Sequence, residues 1–263
     1  MRARLLSGSL PAHMTAAEDT RECVRRALAE DLGSDQLDVA RDVTTAASVP
    51  AGTRGRARIR AKADGVLAGV ACAEIAFRLL DPDCRIDVVC GDGDRLVPGE
   101  EVLTVAGDMA ALLVAERTAL NFLQRLSGVA TLTRQFVDRV AGTGARILDT
   151  RKTTPGLRRL EKAAVVAGGG SNHRIGLFDQ VLLKENHFGF AKPLGYEEVV
   201  RRCRAAHDLP IIAEARTVAE AEAAARGGAS VVLLDNFEPG EPLRRAVAAV
   251  AAAARAAGHQ VAT

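Results

Sequence analysis

Hydrophobic and polar positions change period twice along this chain. Up to about residue 108 the texture is strand-like, with short apolar runs punctuated by turn residues. Within it, Arg54, Arg56, Arg58, Arg60 and Lys62 occupy every second position, a period of two that puts these cations on one face of a strand. The stripe reads as a solvated sheet face. As a nucleic-acid surface it lacks interleaved aromatic residues on which bases could stack. From Met109 to Val140 the period becomes helical, and Leu112, Ala115, Ala119, Leu123 and Leu126 form a stripe that predicts a buried face. Arg117 lies off that stripe and is expected in solvent.

After Gly144 apolar runs of strand length alternate with helical stretches, the βα pattern of a parallel sheet or barrel. Each run ends on polar chemistry. The run from Arg146 closes on Asp149, followed by Thr150, Arg151 and Lys152; the run from Val181 closes on Lys184; the run from Pro210 on Glu214; the run from Ser230 on Asp235. Four consecutive strands are thus predicted to deliver polar groups at their carboxyl ends, where α/β folds assemble active sites. Between them, Thr217 and Glu220 have capping-box spacing and open a helix that stops at Gly227 and Gly228.

Composition narrows the class. The 263 residues are 48% hydrophobic and 26% charged, which allows one large domain or two ordinary ones. Lys plus Arg (35) against Asp plus Glu (33) leaves a formal charge of +2, too balanced to imply a polyanionic partner, so any basic site is local. No apolar run approaches the roughly 18–20 residues of a membrane helix. The first residues lack the apolar centre of a signal peptide, and Met14 is an equally good start. Five scattered cysteines without a C-x-x-C pair argue against a disulfide framework and a zinc site. The expectation is a cytoplasmic protein with neither membrane nor nucleic-acid partners.

Candidate chemistry concentrates between Arg151 and Lys184, where Arg151, Lys152, Arg158, Arg159, Lys162, Arg174 and Lys184 surround three glycines at 168–170. Arginine suits bidentate capture of carboxylates and phosphates and lysine supplies a compact charge, so the substrate is anionic. Arg158, Arg159 and Lys162 read as a solvated helix face. Arg151, Lys152 and Lys184, at strand ends, read as functional. Glu214 and Asp235 offer hard oxygen ligands that, with substrate phosphates, suit Mg²⁺. An acid/base pair fits less well, because the surrounding cations would keep both carboxyls ionised. A lone histidine is more often structural, as for His187; His173, beside Arg174, is a candidate to touch substrate. Neither a dinucleotide fingerprint nor a P-loop is present.

The motifs E-R-T-A-L-N from Glu116, L-S-G-V-A-T from Leu126, D-T-R-K-T-T-P-G from Asp149, the glycines with Asn172, His173 and Arg174, K-E-N-H from Lys184 and L-D-N from Leu234 closely resemble quinolinate phosphoribosyltransferase, the decarboxylating nicotinate-nucleotide pyrophosphorylase. The resemblance is collinear from about Asp42 onward. It implies an α/β fold with an N-terminal α/β sandwich domain (residues 20–128) and a C-terminal incomplete α/β barrel (residues 129–263). Residues 1–19 are left as an N-terminal extension open to disorder.

The resemblance further implies transfer of the phosphoribosyl group of phosphoribosyl pyrophosphate (PRPP) to quinolinate with decarboxylation, giving nicotinate mononucleotide, CO₂ and diphosphate in NAD biosynthesis. Arg151, His173, Arg174 and Lys184 would hold the two carboxylates of quinolinate, with Thr150 beside them. Lys152 would face the diphosphate, and Glu214 with Asp235 the ribose hydroxyls and Mg²⁺; Lys152, Lys184, Glu214 and Asp235 form the catalytic set. The implied assembly is a homodimer with sites shared between subunits, or a higher oligomer, in which Arg117 reaches the neighbour's site rather than solvent. Two positions depart from the family. Ile212 stands where a carboxylate is usual, and the family would continue past Thr263 into two glycine loops that bind the 5′-phosphate. The expectation is therefore an open barrel edge after the strand at Val261 and weak PRPP binding. A related enzyme for another aromatic acid, or a non-catalytic binding homologue, are the alternatives.

Overall fold

The structure is a computed structural model and describes residues 15–263. Residues 1–14, with most of the expected N-terminal extension and Met14, lie outside the described residues. The remainder of that extension is ordered: Thr15 caps helix α1 (Ala16–Leu32), accepting from Glu18 N while the Glu18 carboxylate accepts from Thr15 N, a complete capping box. The chain divides into two compact units between His173 and Arg174.

The first unit departs from the strand-like expectation. It contains α1, α2 (Val43–Ser48) and α3 (Val70–Leu80) among strands β1 (Arg54–Arg60), β2 (Gly65–Val66), β3 (Arg85–Val88), β4 (Arg95–Leu96) and β5 (Glu101–Asp108). Helix α1 is mostly polar, and only Cys23, Val24, Leu28 and Leu32 mark its inner face. Helix α3 buries Val70, Cys72, Ala73, Ala76 and Phe77, too continuous an apolar run to show a 3.6 period. The antiparallel sheet has the order β1-β5-β3, and β2 pairs with β4. On β1 the predicted arginines are exposed; Arg56 Nη2 donates to Thr104 Oγ1 at 3.2 Å, and Arg58 lies 3.9 Å from Glu101.

Helix α4 (Met109–Val140) has the predicted limits and buries all five stripe residues. It runs through the expected domain boundary at residue 128. Asp108 caps it, accepting from Ala111 N at 3.1 Å. Helix α5 (Arg158–Ala167) packs on α4 and ends in the three glycines. A Cβ on Gly168 would lie 2.4 Å from the Ala130 carbonyl oxygen, and Gly169 has φ +88°, so the first glycine permits close approach to α4 and the second a left-handed turn.

The second unit is β6 (Val181–Leu183), α6 (Glu185–Phe190), α7 (Tyr196–Ala206), β7 (Ile211–Ala215), α8 (Val218–Arg226), β8 (Val231–Leu234) and α9 (Glu241–Ala256). Its parallel sheet has the order β6-β7-β8, and a bridge from Val231 to Ala262 adds a further position beyond β8. Four strands were expected. The segment ending at Asp149 instead forms a single parallel bridge, Leu148 to Ser171, within the first unit. Helix α8 starts and stops where predicted, but its capping box is half made. Thr217 Oγ1 accepts from Glu220 N, whereas the Glu220 carboxylate accepts from Arg216 N rather than from Thr217.

No helix among the described residues is long and apolar enough to cross a membrane. All five cysteines are free, and burial pushes the Cys72 thiol up to about 12. Gly168→Ala should cost about 1–3 kcal/mol, because the added methyl must displace a helix carbonyl. Chemical denaturation should show a lower midpoint at unchanged slope.

Candidate active site

In the first unit the chemistry is organised by two consecutive side chains of α5, Glu161 and Lys162. Lys162 was expected on a solvated face, yet both are buried. Lys162 Nζ pairs with Asp149 Oδ1 and also donates to the His173 carbonyl at 2.9 Å. Asp149 Oδ1 accepts from His173 N at 2.8 Å. With its amide nitrogen turned inward, Asn172 donates to Asp149 Oδ2 at 2.6 Å and to the Lys162 carbonyl at 3.0 Å. The ion pair is thus satisfied on both sides. The sequence spacing assigned Lys162 to solvent because a helical period cannot see a carboxylate thirteen residues upstream that folds back onto it.

Glu161 faces the other end of the same loop. Its Oε1 accepts from Thr154 Oγ1 and from Arg125 Nη2, each at 2.7 Å, and its Oε2 accepts from Thr154 N at 3.1 Å. Burial pushes the Glu161 carboxyl up, but the hydrogen bonds from Arg125 and Thr154 outweigh it and hold the group below its ordinary value. Arg158 Nε donates to Thr153 Oγ1 at 3.2 Å, and Arg159 lies 3.4 Å from Asp19, so neither matches a freely solvated face.

Between these fixed ends sit Thr150, Arg151 and Lys152. Thr150 Oγ1 accepts from Lys152 N at 3.0 Å, a local turn bond. Arg151 is half-buried and its Nε is buried with no hydrogen-bond partner among the described residues; Lys152 is exposed. Arg117 is exposed on α4, while the adjacent Thr118 is buried and donates to Asp31 Oδ2 at 3.2 Å.

In the second unit the sheet register places its polar groups at one edge. Leu183 pairs with Ala213, and Ala215 with Leu234, so Lys184, Glu214 and Asp235 stand at the carboxyl ends of β6, β7 and β8. Lys184 Nζ is 4.0 Å from Glu214 Oε1. Asp235 N donates to the Ala215 carbonyl at 2.9 Å, and Asp235 Oδ2 accepts from Asn236 Nδ2 at 3.0 Å. Ile212, where the family usually has a carboxylate, is buried in the core. Arg174 Nη1 donates to the Gln180 carbonyl at 3.3 Å, spanning a loop that Asp179 closes by accepting from Ile175 N and Gly176 N. His187 is a helix-capping residue: its Nδ1 accepts from Lys184 N at 2.9 Å.

Family models match both parts of the chain: quinolinate phosphoribosyl transferase, N-terminal domain, over residues 42–127, and C-terminal domain, over residues 129–262. The chain belongs to the quinolinate phosphoribosyl transferase family. It is 44% identical over 185 residues to quinolinate phosphoribosyltransferase [decarboxylating] 2b, mitochondrial, of Nicotiana tabacum, covering 70% of this chain and 50% of the relative. It is 42% identical over 184 residues to a probable nicotinate-nucleotide pyrophosphorylase [carboxylating] of Synechocystis, covering 70% and 62%. The chain therefore spans between half and two thirds of these relatives' lengths. Among solved structures, NadC from Streptococcus pyogenes superposes with a TM-score of 0.82 at 32% identity, covering 96% of this chain and 92% of that one. This likeness agrees with the α/β class read from the sequence.

Among the described residues no three or more His, Cys, Asp or Glu side chains converge as a metal cage. Two carboxylates on neighbouring strand ends nevertheless fit Mg²⁺, which binds through one or two carboxylates and substrate phosphates and keeps several waters.

Lys162→Met should destabilise the family member by about 3–5 kcal/mol, because it leaves Asp149 buried and unpaired. Adding Asp149→Asn should recover much of that loss, as read by equilibrium denaturation. Acid should act through Glu161. Its folded value lies below the ordinary 4.5, so its contribution is complete above that pH and is lost as pH falls through the lowered value. Melting curves of Glu161→Gln should accordingly converge with those of the wild type below that range.

Proposed function

We propose that this protein transfers the phosphoribosyl group of PRPP to quinolinate and decarboxylates the adduct, giving nicotinate mononucleotide, CO₂ and diphosphate. The observation that carries the reading is the turn at Arg151 and Lys152. Among the described residues neither cation has an ion-pair partner, and the Arg151 Nε is buried without an acceptor. A half-buried guanidinium with an unpaired Nε is suited to a planar dianion, because its fork matches a carboxylate bidentately.

The roles follow the family resemblance residue by residue. Arg151, His173, Arg174 and Lys184 hold the two carboxylates of quinolinate, with Thr150 shaping the turn. Lys152 faces the diphosphate of PRPP. Glu214 and Asp235 hold the ribose hydroxyls and Mg²⁺, which when bound neutralises the diphosphate charge. The pyridine nitrogen attacks the anomeric carbon with its lone pair while the bond from that carbon to diphosphate oxygen breaks. The resulting pyridinium accepts electron density as the adjacent C–CO₂⁻ bond breaks, CO₂ departs and the ring carbon takes a proton. Lys152, Lys184, Glu214 and Asp235 supply position and charge rather than a covalent partner, which suits an oxocarbenium-like state.

The assembly in this reading is a homodimer in which exposed Arg117 serves the partner's site, and the five free thiols suit the reducing cytoplasm. Product formation from quinolinate and PRPP should require Mg²⁺ and stop in excess chelator. Undiminished turnover there, or equal turnover of other aromatic acids in a substrate panel, would count against the assignment. Arg151→Ala should lose about 2–5 kcal/mol of quinolinate binding by calorimetry. Mixing inactive Arg117→Ala with inactive Lys184→Ala subunits should restore activity through hybrids, and no recovery after demonstrated exchange would argue against shared sites.

A further inference from the structure

Glu161 and Lys162 are adjacent in sequence, both buried, and each grips a different end of one short segment. Lys162 holds Asp149 and, with it, both backbone groups of His173. Glu161 holds the backbone and hydroxyl of Thr154, and Arg125 secures Glu161 in turn. Between the two grips lie only residues 150–153. A four-residue span whose ends are both fixed has little freedom left, and here a Thr150–Lys152 turn bond and an Arg158–Thr153 contact remove more. Neither Glu161 nor Lys162 is exposed enough to meet a ligand, so each acts through the segment it holds.

We propose that Glu161 and Lys162 are positioning residues that clamp the two ends of the Arg151–Lys152 turn, Lys162 aligning His173 in the same stroke. The proposal rests on the functional reading above and names how that reading's site is held. It differs from a stability role in its consequence: affinity for the dianion depends on the clamp even where the fold survives without it.

Calorimetric titration of quinolinate into the full chain, beside a melting curve, tests this. Glu161→Gln should weaken quinolinate roughly tenfold, as loss of an outer partner of a ligating group commonly does. Thr154→Ser keeps the hydroxyl and should bind as wild type, whereas Thr154→Val, of equal volume, should match Glu161→Gln and serves in its place if that variant does not fold. In an Arg151→Lys background the Glu161→Gln effect should shrink to within about twofold, because its route to the ligand is already broken. The paired variant Asp149→Asn with Lys162→Met should regain stability but not affinity. Wild-type affinity in Glu161→Gln or Thr154→Val, fully multiplicative effects in the Arg151→Lys background, or affinity recovered together with stability in the paired variant would each overturn the proposal. If Arg151→Lys itself binds quinolinate as wild type, the functional reading fails, and the clamp proposal falls with it.

Discussion

The buried contact between Lys162 and Asp149 is the constraint on which the first unit's chemistry depends. Removing two charges from water costs several kcal/mol per ion unless partner and hydrogen bonds replace the lost hydration. Here they are replaced only when three separate stretches meet: Asp149 at the end of an apolar run, Lys162 on α5, and the side chain of Asn172 with the main chain of His173. Any arrangement that withdraws one stretch strands a charge. The pair therefore specifies a meeting point rather than simply adding stability, and the turn carrying Arg151 and Lys152 begins at that point.

Position passes into this turn from the helices behind it. Gly168 allows α5 to approach α4 to the distance of a backbone carbonyl, and Arg125 reaches from α4 to Glu161. The long, well-packed helix thus sets α5, and α5 sets the loop. The second unit reaches its geometry by other means. Parallel pairing aligns β6, β7 and β8 so that Lys184 follows the Leu183–Ala213 pair beside Glu214, while Asp235 stands two residues beyond Leu233, the partner of Glu214. Backbone hydrogen bonding alone delivers Lys184, Glu214 and Asp235 to a common edge, which is the general reason that open α/β sheets bind ligands there.

What could be read in advance follows from these two mechanisms. The limits of α4 were legible because its apolar stripe repeats over many turns, and three strand ends were legible because an apolar run stopping at a charge is a local signal. Lys162 was misjudged because its partner is brought to it by a bend that no period records. The segment before Asp149 reads as a strand and makes one bridge, since its polar terminus is spent on α5 rather than on a sheet edge. Helices α1 and α3 were hidden for opposite reasons, one with only Cys23, Val24, Leu28 and Leu32 on its buried face and the other almost wholly apolar. The family resemblance supplied roles for Arg151 and His173, but not the clamp around them, because its motif places Asp149 without saying what it holds.

The distribution of charge around the turn keeps its cations available. Two carboxylates flank Arg151 and Lys152, and either could have neutralised them at short range. Each is already committed, Asp149 to buried Lys162 and Glu161 to Thr154 and the exposed Arg125, and withdrawing either set of partners would leave a buried carboxylate uncompensated. The turn therefore keeps its positive charge although it is bracketed by acids. A loop with uncommitted acids nearby would fold its arginine back onto them and present nothing to an incoming dianion. Burying the acids and committing each to partners of its own is what lets one short segment be rigid and cationic at once, and a site for an anion needs both properties.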